Sequence, residues 1–132
     1  MIVFDASAVV SAALKADSTP ERALLRAEEV DLFALSTAVV AEITTVLNRP
    51  KFARVISRRR RDRLLRILRD AGIWFDPAVR VIDCRDPKDN KYLELALAAG
   101  AATIVSSDDD LLVLDPWRGV RILKPADYLA LF

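Results

Sequence analysis

Four acidic side chains lie where a single metal site could use them all. Asp5 directly follows the first apolar run of the chain, and Asp108 closely follows a later one. Glu42 and Asp89 fall in the first two turns of two predicted helices. Without a cation such a cluster is costly, because like charges raise one another's pKa and resist burial. Mg²⁺ and Mn²⁺ prefer oxygen ligands, and a bound ion of this kind activates water and stabilises a phosphodiester transition state.

Short apolar runs that alternate with helical patterns must position these acids. Such alternation predicts an α/β domain with a largely parallel sheet. The predicted strands are Ile2–Phe4 and residues 32–35, 73–75, 102–106 and 120–123. The predicted helices cover residues 7–14, a segment that begins at 19–20, and residues 37–48, 57–71, 87–99 and 126–132.

Capping residues mark where several of these helices begin and end. Thr19 is predicted to be one N-cap, and Asp86 another, with Pro87 at the first position of its helix. Gly100 is expected just past the end of that helix, and Gly72 in the C′ position after the arginine-rich helix. Asp86 and Gly100 therefore mark the two ends of the predicted helix that carries Asp89.

The predicted sheet brings the acids toward one edge. In open α/β sheets, ligands bind in the crevice beyond the carboxyl ends of the strands, where Asp5 and Asp108 lie. Asp89 shares a helix face with Leu93, so we expect it to point into the protein. Glu42 has apolar neighbours and is expected to border the buried face. Each acid also has a simpler interpretation: Asp5 and Asp89 as helix caps, Glu42 on the surface, and Asp108 in a solvated loop.

Length and composition exclude several classes of protein. The 132 residues are expected to form one domain, residues 1–132. One cysteine and no histidine exclude a disulfide framework, a zinc site rich in cysteine or histidine, and a Ser-His-Asp triad. The single Cys84 favours a reducing cytoplasm as the expected location. No apolar run is long enough to suggest a membrane span.

The net charge of +1 hides an uneven distribution along the chain. Residues 49–69 contain ten of the twenty Lys and Arg residues and only one acid, Asp62. Lys and Arg side chains that neutralise phosphates drive nucleic-acid binding independently of sequence. The alternative is a solvated helix face whose arginine stems cover apolar surface. The candidate RNA-binding residues are Arg58, Arg59, Arg60 and Arg61.

Five segments in this order and spacing carry a resemblance to a known family. They are "IVFDASAVVSAAL", "STAVVAEITTVLNRPKF", "DPKDNKYLELALAAGA", "IVSSDDDLL" and "ILKPADYL". Together they resemble the PIN-domain ribonucleases over nearly the whole chain, and most closely the toxin-like subgroup of type II toxin–antitoxin pairs. The resemblance implies a three-layer α/β fold, with a mainly parallel five-stranded sheet flanked by helices, and Mg²⁺- or Mn²⁺-dependent cleavage of RNA.

The resemblance also assigns roles to individual residues. It implies that Asp5, Glu42, Asp89 and Asp108 are catalytic, and that Asp5, Asp89 and Asp108 bind the metal. Asp86 is then a cap and not a ligand. The usual polar triplet after the first strand is replaced here by Asp5-Ala6-Ser7. Polar helpers to the acids are expected at Ser7, Ser106 and Asp110, with Asp109 facing solvent.

The resemblance implies partners as well, and two alternatives compete with it. The expected partners are an RNA substrate, a cognate antitoxin protein, and a second copy of the chain in a homodimer or higher oligomer. One alternative is a PIN-like module that binds RNA or a partner without cutting. The other is a response-regulator receiver domain with Asp76 as phospho-acceptor, although about 37 residues separate its second and third strands, too many for a single crossover.

Overall fold

The sheet is built from short runs of mostly apolar residues, and its three inner strands are almost wholly buried, as parallel strands usually are. In the computed structural model, which describes all 132 residues, five strands pair in the order β3-β2-β1-β4-β5, and every pairing is parallel. The expected five-stranded, mainly parallel sheet is thus confirmed. The strands are β1 (Ile2–Phe4), β2 (Phe33–Leu35), β3 (Gly72–Trp74), β4 (Thr103–Val105) and β5 (Arg121–Leu123).

Helices flank this sheet and give a three-layer α/β fold. Two of the helices, Pro50–Ala53 and Asp109–Leu112, were not predicted, because four residues are too few to show a helical period. A single 3₁₀ turn, Pro87–Asp89, precedes α6. None of the helices combines the length and the hydrophobicity that a membrane span requires. The helices are α1 (Ala6–Leu14), α2 (Thr19–Val30), α3 (Thr37–Leu47), α4 (Pro50–Ala53), α5 (Arg58–Asp70), α6 (Asn90–Ala99), α7 (Asp109–Leu112) and α8 (Pro125–Leu129).

The strand order places a topological switch between β1 and β4. The chain proceeds from β1 outward to β2 and β3, and then crosses to the other side of β1 to form β4 and β5. In open α/β sheets the crevice at such a switch is where ligands bind. Asp5 follows β1 at this edge, and its amide donates to the carbonyl of Val105 at the end of β4 (3.1 Å).

The same strand order excludes the receiver-domain alternative. Receiver domains have the doubly wound order 2-1-3-4-5, whereas the order here is 3-2-1-4-5. Asp76, the phospho-acceptor required by that alternative, is an exposed residue that lies after edge strand β3. The receiver interpretation is therefore wrong.

One continuous core of 36 buried residues surrounds the two central strands. Ile2, Val3 and Ile104 have no exposed surface at all. Helix α6 covers this centre and contacts β1, β2 and β4. Since α6 follows directly from the turn that contains Asp89, packing of the core fixes the position of that acid relative to Asp5.

Two helices begin at a different residue from the one predicted. Helix α1 begins at Ala6 and not at Ser7, because the Asp5 side chain is its N-cap and accepts from the amide of Ala8. Helix α2 is capped by Ser18, so Thr19 is already its first residue. A serine and a threonine next to each other are equally good caps by residue type, and the sequence alone does not separate them.

The two glycines that were predicted to follow the C-terminal ends of helices behave differently. Gly100 adopts the left-handed conformation (φ 61°) after α6, as expected of a C-terminal glycine. Gly72 follows α5, but it is not left-handed; it is the first residue of β3 and pairs with Phe33 of β2. A Cβ atom there would overlap the carbonyl oxygen of Leu68 and the side chain of Leu35. Close packing, and not backbone conformation, requires glycine at this position.

Replacing Gly72 by alanine is therefore expected to destabilise the protein by about 3 kcal/mol, the upper end of what overpacking usually costs. The backbone of α5 must shift, because the overlapping Leu68 oxygen cannot rotate away. Urea denaturation checks this value. Gly100→Ala is the control, since no atom lies within 4 Å of a Cβ there and the cost is only the left-handed strain of about 1–2 kcal/mol. A smaller loss for Gly72→Ala than for Gly100→Ala would contradict the packing argument.

Candidate metal centre

Asp5 is the most completely held acid of the site. It is 2% exposed, and its carboxylate accepts from the hydroxyls of Ser7 (2.7 Å) and Ser106 (2.5 Å) and from the amide of Ala8 (2.9 Å). Burial raises the pKa of Asp5 to about 6, even though these hydrogen bonds oppose the shift. The nearby Asp108 carboxylate adds to the rise. The charged form of Asp5 is thus oriented by donors but short of a compensating positive charge.

Ser106 connects the ends of β1 and β4. Its buried hydroxyl donates to Asp5 and accepts from the amide of Asp108 (2.9 Å). The Asp108 side chain then caps α7 by accepting from the amide of Asp110 (2.9 Å). Ser7 makes a parallel link, because its hydroxyl accepts from the amide of Ser107 (3.0 Å). Both serines therefore fix the loop after β4 against the start of α1.

Asp89 carries the least satisfied polar atom of the site. The residue is 5% exposed, and its Oδ2 atom is buried without any hydrogen-bond partner. Burial, together with the nearby Asp108 carboxyl group, raises the pKa of Asp89. An unpaired buried carboxylate oxygen costs free energy, so native proteins rarely leave one without a partner.

Glu42 is held by two residues of α6 that the sequence did not single out. Lys91 Nζ lies 2.6 Å from one carboxylate oxygen, and the Tyr92 hydroxyl donates to the other. The Tyr92 hydroxyl also accepts from the amide of Ala6 (3.2 Å), next to Asp5. Burial and the hydrogen bond to Glu42 raise the pKa of Tyr92 well above its ordinary value, so the phenol stays protonated and acts as a donor.

A second group of carboxylates meets at Asp89. One oxygen from each of Asp86, Asp89 and Asp110 lies within 4.8 Å of the other two. Asp86 also caps the 3₁₀ turn, as predicted, by accepting from the amide of Lys88 (3.3 Å). Its approach to the acids was not expected, since Asp86 was interpreted as a cap only. Asp110 is ion-paired with the exposed Arg85.

The four predicted acids lie on the wall of one pocket with a volume of about 390 Å³. Ser7 lines it as well, whereas Ser106 lies beneath it as a fully buried contact of Asp5. The sequence signal for this convergence was the position of each acid at the end of a strand or the start of a helix. No comparable signal marked Lys91 and Tyr92, because their role depends on how α6 packs against α3.

These residues fit a divalent cation. The donor set consists of carboxylate oxygens, which are the ligands that Mg²⁺ and Mn²⁺ prefer. Asp89 contributes to both groups of carboxylates, and its orphaned Oδ2 atom is a donor without another use. The raised pKa values of Asp5 and Asp89 have the same main cause, burial away from water, and the neighbouring Asp108 carboxyl group adds to both; a bound cation would favour the ionised form of each acid.

Comparison with known proteins agrees with this geometry. A family model described as a PIN domain matches residues 1–110. The chain belongs to the PIN-domain family. No curated protein matches the chain at a significant level. The PIN-domain match covers every acid described above, from Asp5 to Asp110. PIN domains are generally metal-dependent nucleases, and the acidic cluster of this one is compatible with metal binding.

The arginine-rich helix α5 of this PIN domain has two kinds of arginine. Arg58 and Arg59 are exposed and make no ion pair or hydrogen bond through their side chains. Arg60 instead points into the protein and donates to the carbonyls of Ala13 (2.7 Å) and Ala12 (2.8 Å) at the end of α1. Arg61 donates to the Asn48 side chain (2.5 Å).

Arg60 also forms an ion pair with Glu21, which is 4% exposed. The guanidinium thus satisfies the last carbonyls of α1, where the helix dipole favours a positive charge, and neutralises a buried acid of α2. Of the four arginines predicted to contact RNA, this one has its donors committed within the protein. No residue of α5 lines the acidic pocket.

Replacing Arg60 by methionine should therefore lower the free energy of unfolding by about 3–5 kcal/mol, because the buried Glu21 loses its partner. Arg59→Met is the matched control on the same helix, and it should change stability by less than about 0.5 kcal/mol. Urea denaturation of both variants measures the difference. Equal stability of the two variants would show that the Arg60 contacts do not support the fold.

Proposed function

We propose that this protein is an Mg²⁺- or Mn²⁺-dependent endoribonuclease that hydrolyses RNA phosphodiester bonds. The observation that carries the proposal is the Asp89 carboxyl group, whose buried Oδ2 atom has no hydrogen-bond partner and which shares one pocket with acids from separate elements of the fold. This arrangement destabilises the protein unless a cation binds. Membership of a family of metal-dependent nucleases supports the same reading.

Asp5, Asp89 and Asp108 would hold the ion. Asp86 and Asp110 lie close enough to Asp89 to supply further carboxylate ligands. When bound, a divalent cation of this kind activates water and stabilises the charge that develops on a phosphodiester in the transition state. The chain has no histidine, so imidazole is not available as a general base or acid.

The protein's own contribution is to orient the acids and to offset part of the cost of ionising Asp5. Ser7 and Ser106 donate to Asp5 and favour its carboxylate form. Lys91 and Tyr92 keep Glu42 fixed at the pocket wall, where it can orient a water or a hydroxyl of the substrate. These supports reduce the reorganisation needed when RNA arrives.

The finer part of the proposal is that the protein is the toxin of a toxin–antitoxin pair. The resemblance to the toxin-like subgroup supports this role, and an antitoxin encoded beside it would be its cognate partner. Growth arrest on expression, relieved by co-expression of a small neighbouring protein, is the expected behaviour. Growth that continues despite measurable ribonuclease activity would remove the toxin role and leave the enzyme. A homodimer or higher oligomer is part of the same proposal, and sedimentation tests it.

The enzyme itself is tested with a circular RNA, which has no ends for an exonuclease. The wild-type protein should linearise it in Mn²⁺ or Mg²⁺ and should be inactive in EDTA. Asp5→Asn and Asp89→Asn should lower the rate by more than about 100-fold, since each removes a ligand. Gel electrophoresis of the products measures both effects.

Asp109→Asn is the matched control, because the substitution removes the same charge from an exposed residue. Asp109 lies beside the site without contributing to it. It should keep nearly full activity. Cleavage that persists in EDTA, or Asp5→Asn and Asp89→Asn proteins as fast as wild type, would rule out the proposed mechanism.

A further inference from the structure

The mouth of the acidic pocket has a chemistry of its own. Besides the acids, the lining includes three basic side chains, Arg49, Lys51 and Lys88. All three are exposed, whereas Asp5 and Asp89 at the base of the pocket are 2% and 5% exposed. Negative charge therefore lies deep and positive charge lies at the rim. A ligand that fits both must combine a group that reaches a bound cation with further anionic groups around it.

Two of these basic groups are free to bind an anion. Arg49 and Lys51 form no ion pair with any carboxylate of the protein. Lys88 Nζ, in contrast, lies 3.7 Å from Asp86. Arginine and lysine without an acidic partner are the usual contacts for phosphate oxygens. Arg49 is the N-cap residue of α4 and Lys51 lies within it, and α4 follows α3, the helix that carries Glu42.

One wall of the pocket is apolar. Val10 and Leu14 of α1, Val46 of α3 and Phe52 of α4 line it. Leu14 is 45% exposed, so this wall is open to solvent. Lys51 Nζ lies 4.9 Å from the centre of the Phe52 ring, and a lysine that moves onto a phosphate would uncover that face. An aromatic ring beside unpaired cations is the arrangement on which single-stranded nucleic acids stack their bases.

We propose that this rim binds a single RNA strand, with phosphates next to the cleaved bond on Arg49 and Lys51 and an unpaired base against Phe52. The proposal rests on the proposed function, and what it adds is the set of residues that hold the strand beside the cleaved bond. Bases in a duplex are paired and stacked, so none is available for the apolar wall. The strand must also bend into the pocket, because the acids at its base are almost fully buried.

The rim replaces the arginine-rich helix as the principal RNA contact. Helix α5 contributes nothing to the pocket lining, and Arg60 is committed to α1 and Glu21. Arg58 and Arg59 are exposed, yet they lie on an element that does not border the acids. They provide a matched comparison, since they carry the same charge as Arg49 and Lys51 and differ in position.

The test is the binding of a fluorescent single-stranded oligoribonucleotide, followed by anisotropy with Ca²⁺ in place of Mg²⁺ or Mn²⁺. Arg49→Gln with Lys51→Gln should raise the Kd by at least about tenfold, and the slope of log Kd against log salt should fall by about 1.4, as expected for two lost phosphate contacts to a single strand. Arg58→Gln with Arg59→Gln should change the Kd by less than about twofold.

Phe52 is tested with two conservative variants, because the ring also packs against the core. Phe52→Leu keeps an apolar side chain but removes the aromatic face, and it should raise the Kd by about tenfold without changing the salt slope. Phe52→Tyr should bind like wild type. A duplex RNA of the same length should compete poorly with the single strand.

The outcomes separate this inference from the proposed function, which is measured by hydrolysis in Mn²⁺. Loss of binding in the Arg49/Lys51 and Phe52→Leu variants supports the rim even if no RNA is cleaved. Three results would overturn it, whether or not RNA is hydrolysed. The two double variants could have equal effects on Kd and KM, the wild type could bind duplex and single strand equally well, or the wild type could fail to bind RNA.

Discussion

The structure depends on a concentration of negative charge at the point where the sheet reverses its order. Asp5 and Asp89 are almost fully buried there, and the charge of the neighbouring Asp108 raises the pKa of both. Like charges in a poorly hydrated site oppose folding. The surrounding elements therefore have to hold the acids in place against their mutual repulsion, and they do so with hydrogen bonds to Asp5 and a continuous core of 36 residues beneath it.

The protein's own basic side chains neutralise only some of these acids. Lys91 neutralises Glu42, and Arg85 pairs with Asp110 at the surface. No protein cation reaches the orphaned oxygen of Asp89, so the compensation left open is that of a bound ion. The arginines of α5 serve elsewhere: Arg60 stabilises the join between α1 and α2. The basic segment, residues 49–69, thus contains Arg60, which supports the fold, and Arg49 and Lys51, which lie at the rim of the pocket.

Much of the fold followed from local patterns in the sequence. The short apolar runs indicated the five strands to within one or two residues, and the acids at strand ends indicated the edge of the sheet at which the four acids gather around one pocket. Asp86 and Gly100 marked the limits of the helical segment that carries Asp89, because capping chemistry is local. The sequence predicted those features that residue type and spacing determine locally, without contacts between distant parts of the chain.

The remaining features arise from tertiary contacts. Arg60 looked like its exposed neighbours, and only the packing of α5 against α1 turns it inward. The approach of Asp86 to Asp89 and Asp110 depends on the 3₁₀ turn before α6 and on α7, a helix too short to recognise. Lys91 and Tyr92 contact Glu42 across about fifty residues of sequence, a separation at which spacing carries no information.

The central claim is that the buried acids form a cation site, and a thermal unfolding experiment with and without Mn²⁺ tests it without reference to catalysis. A ligand that binds only the folded state raises Tm. We predict a rise of several degrees for the wild type and for Asp109→Asn, and none for Asp89→Asn, which should be at least as stable as the wild type without metal because one buried charge is gone. An equal rise in Tm for Asp89→Asn and the wild type would contradict the account.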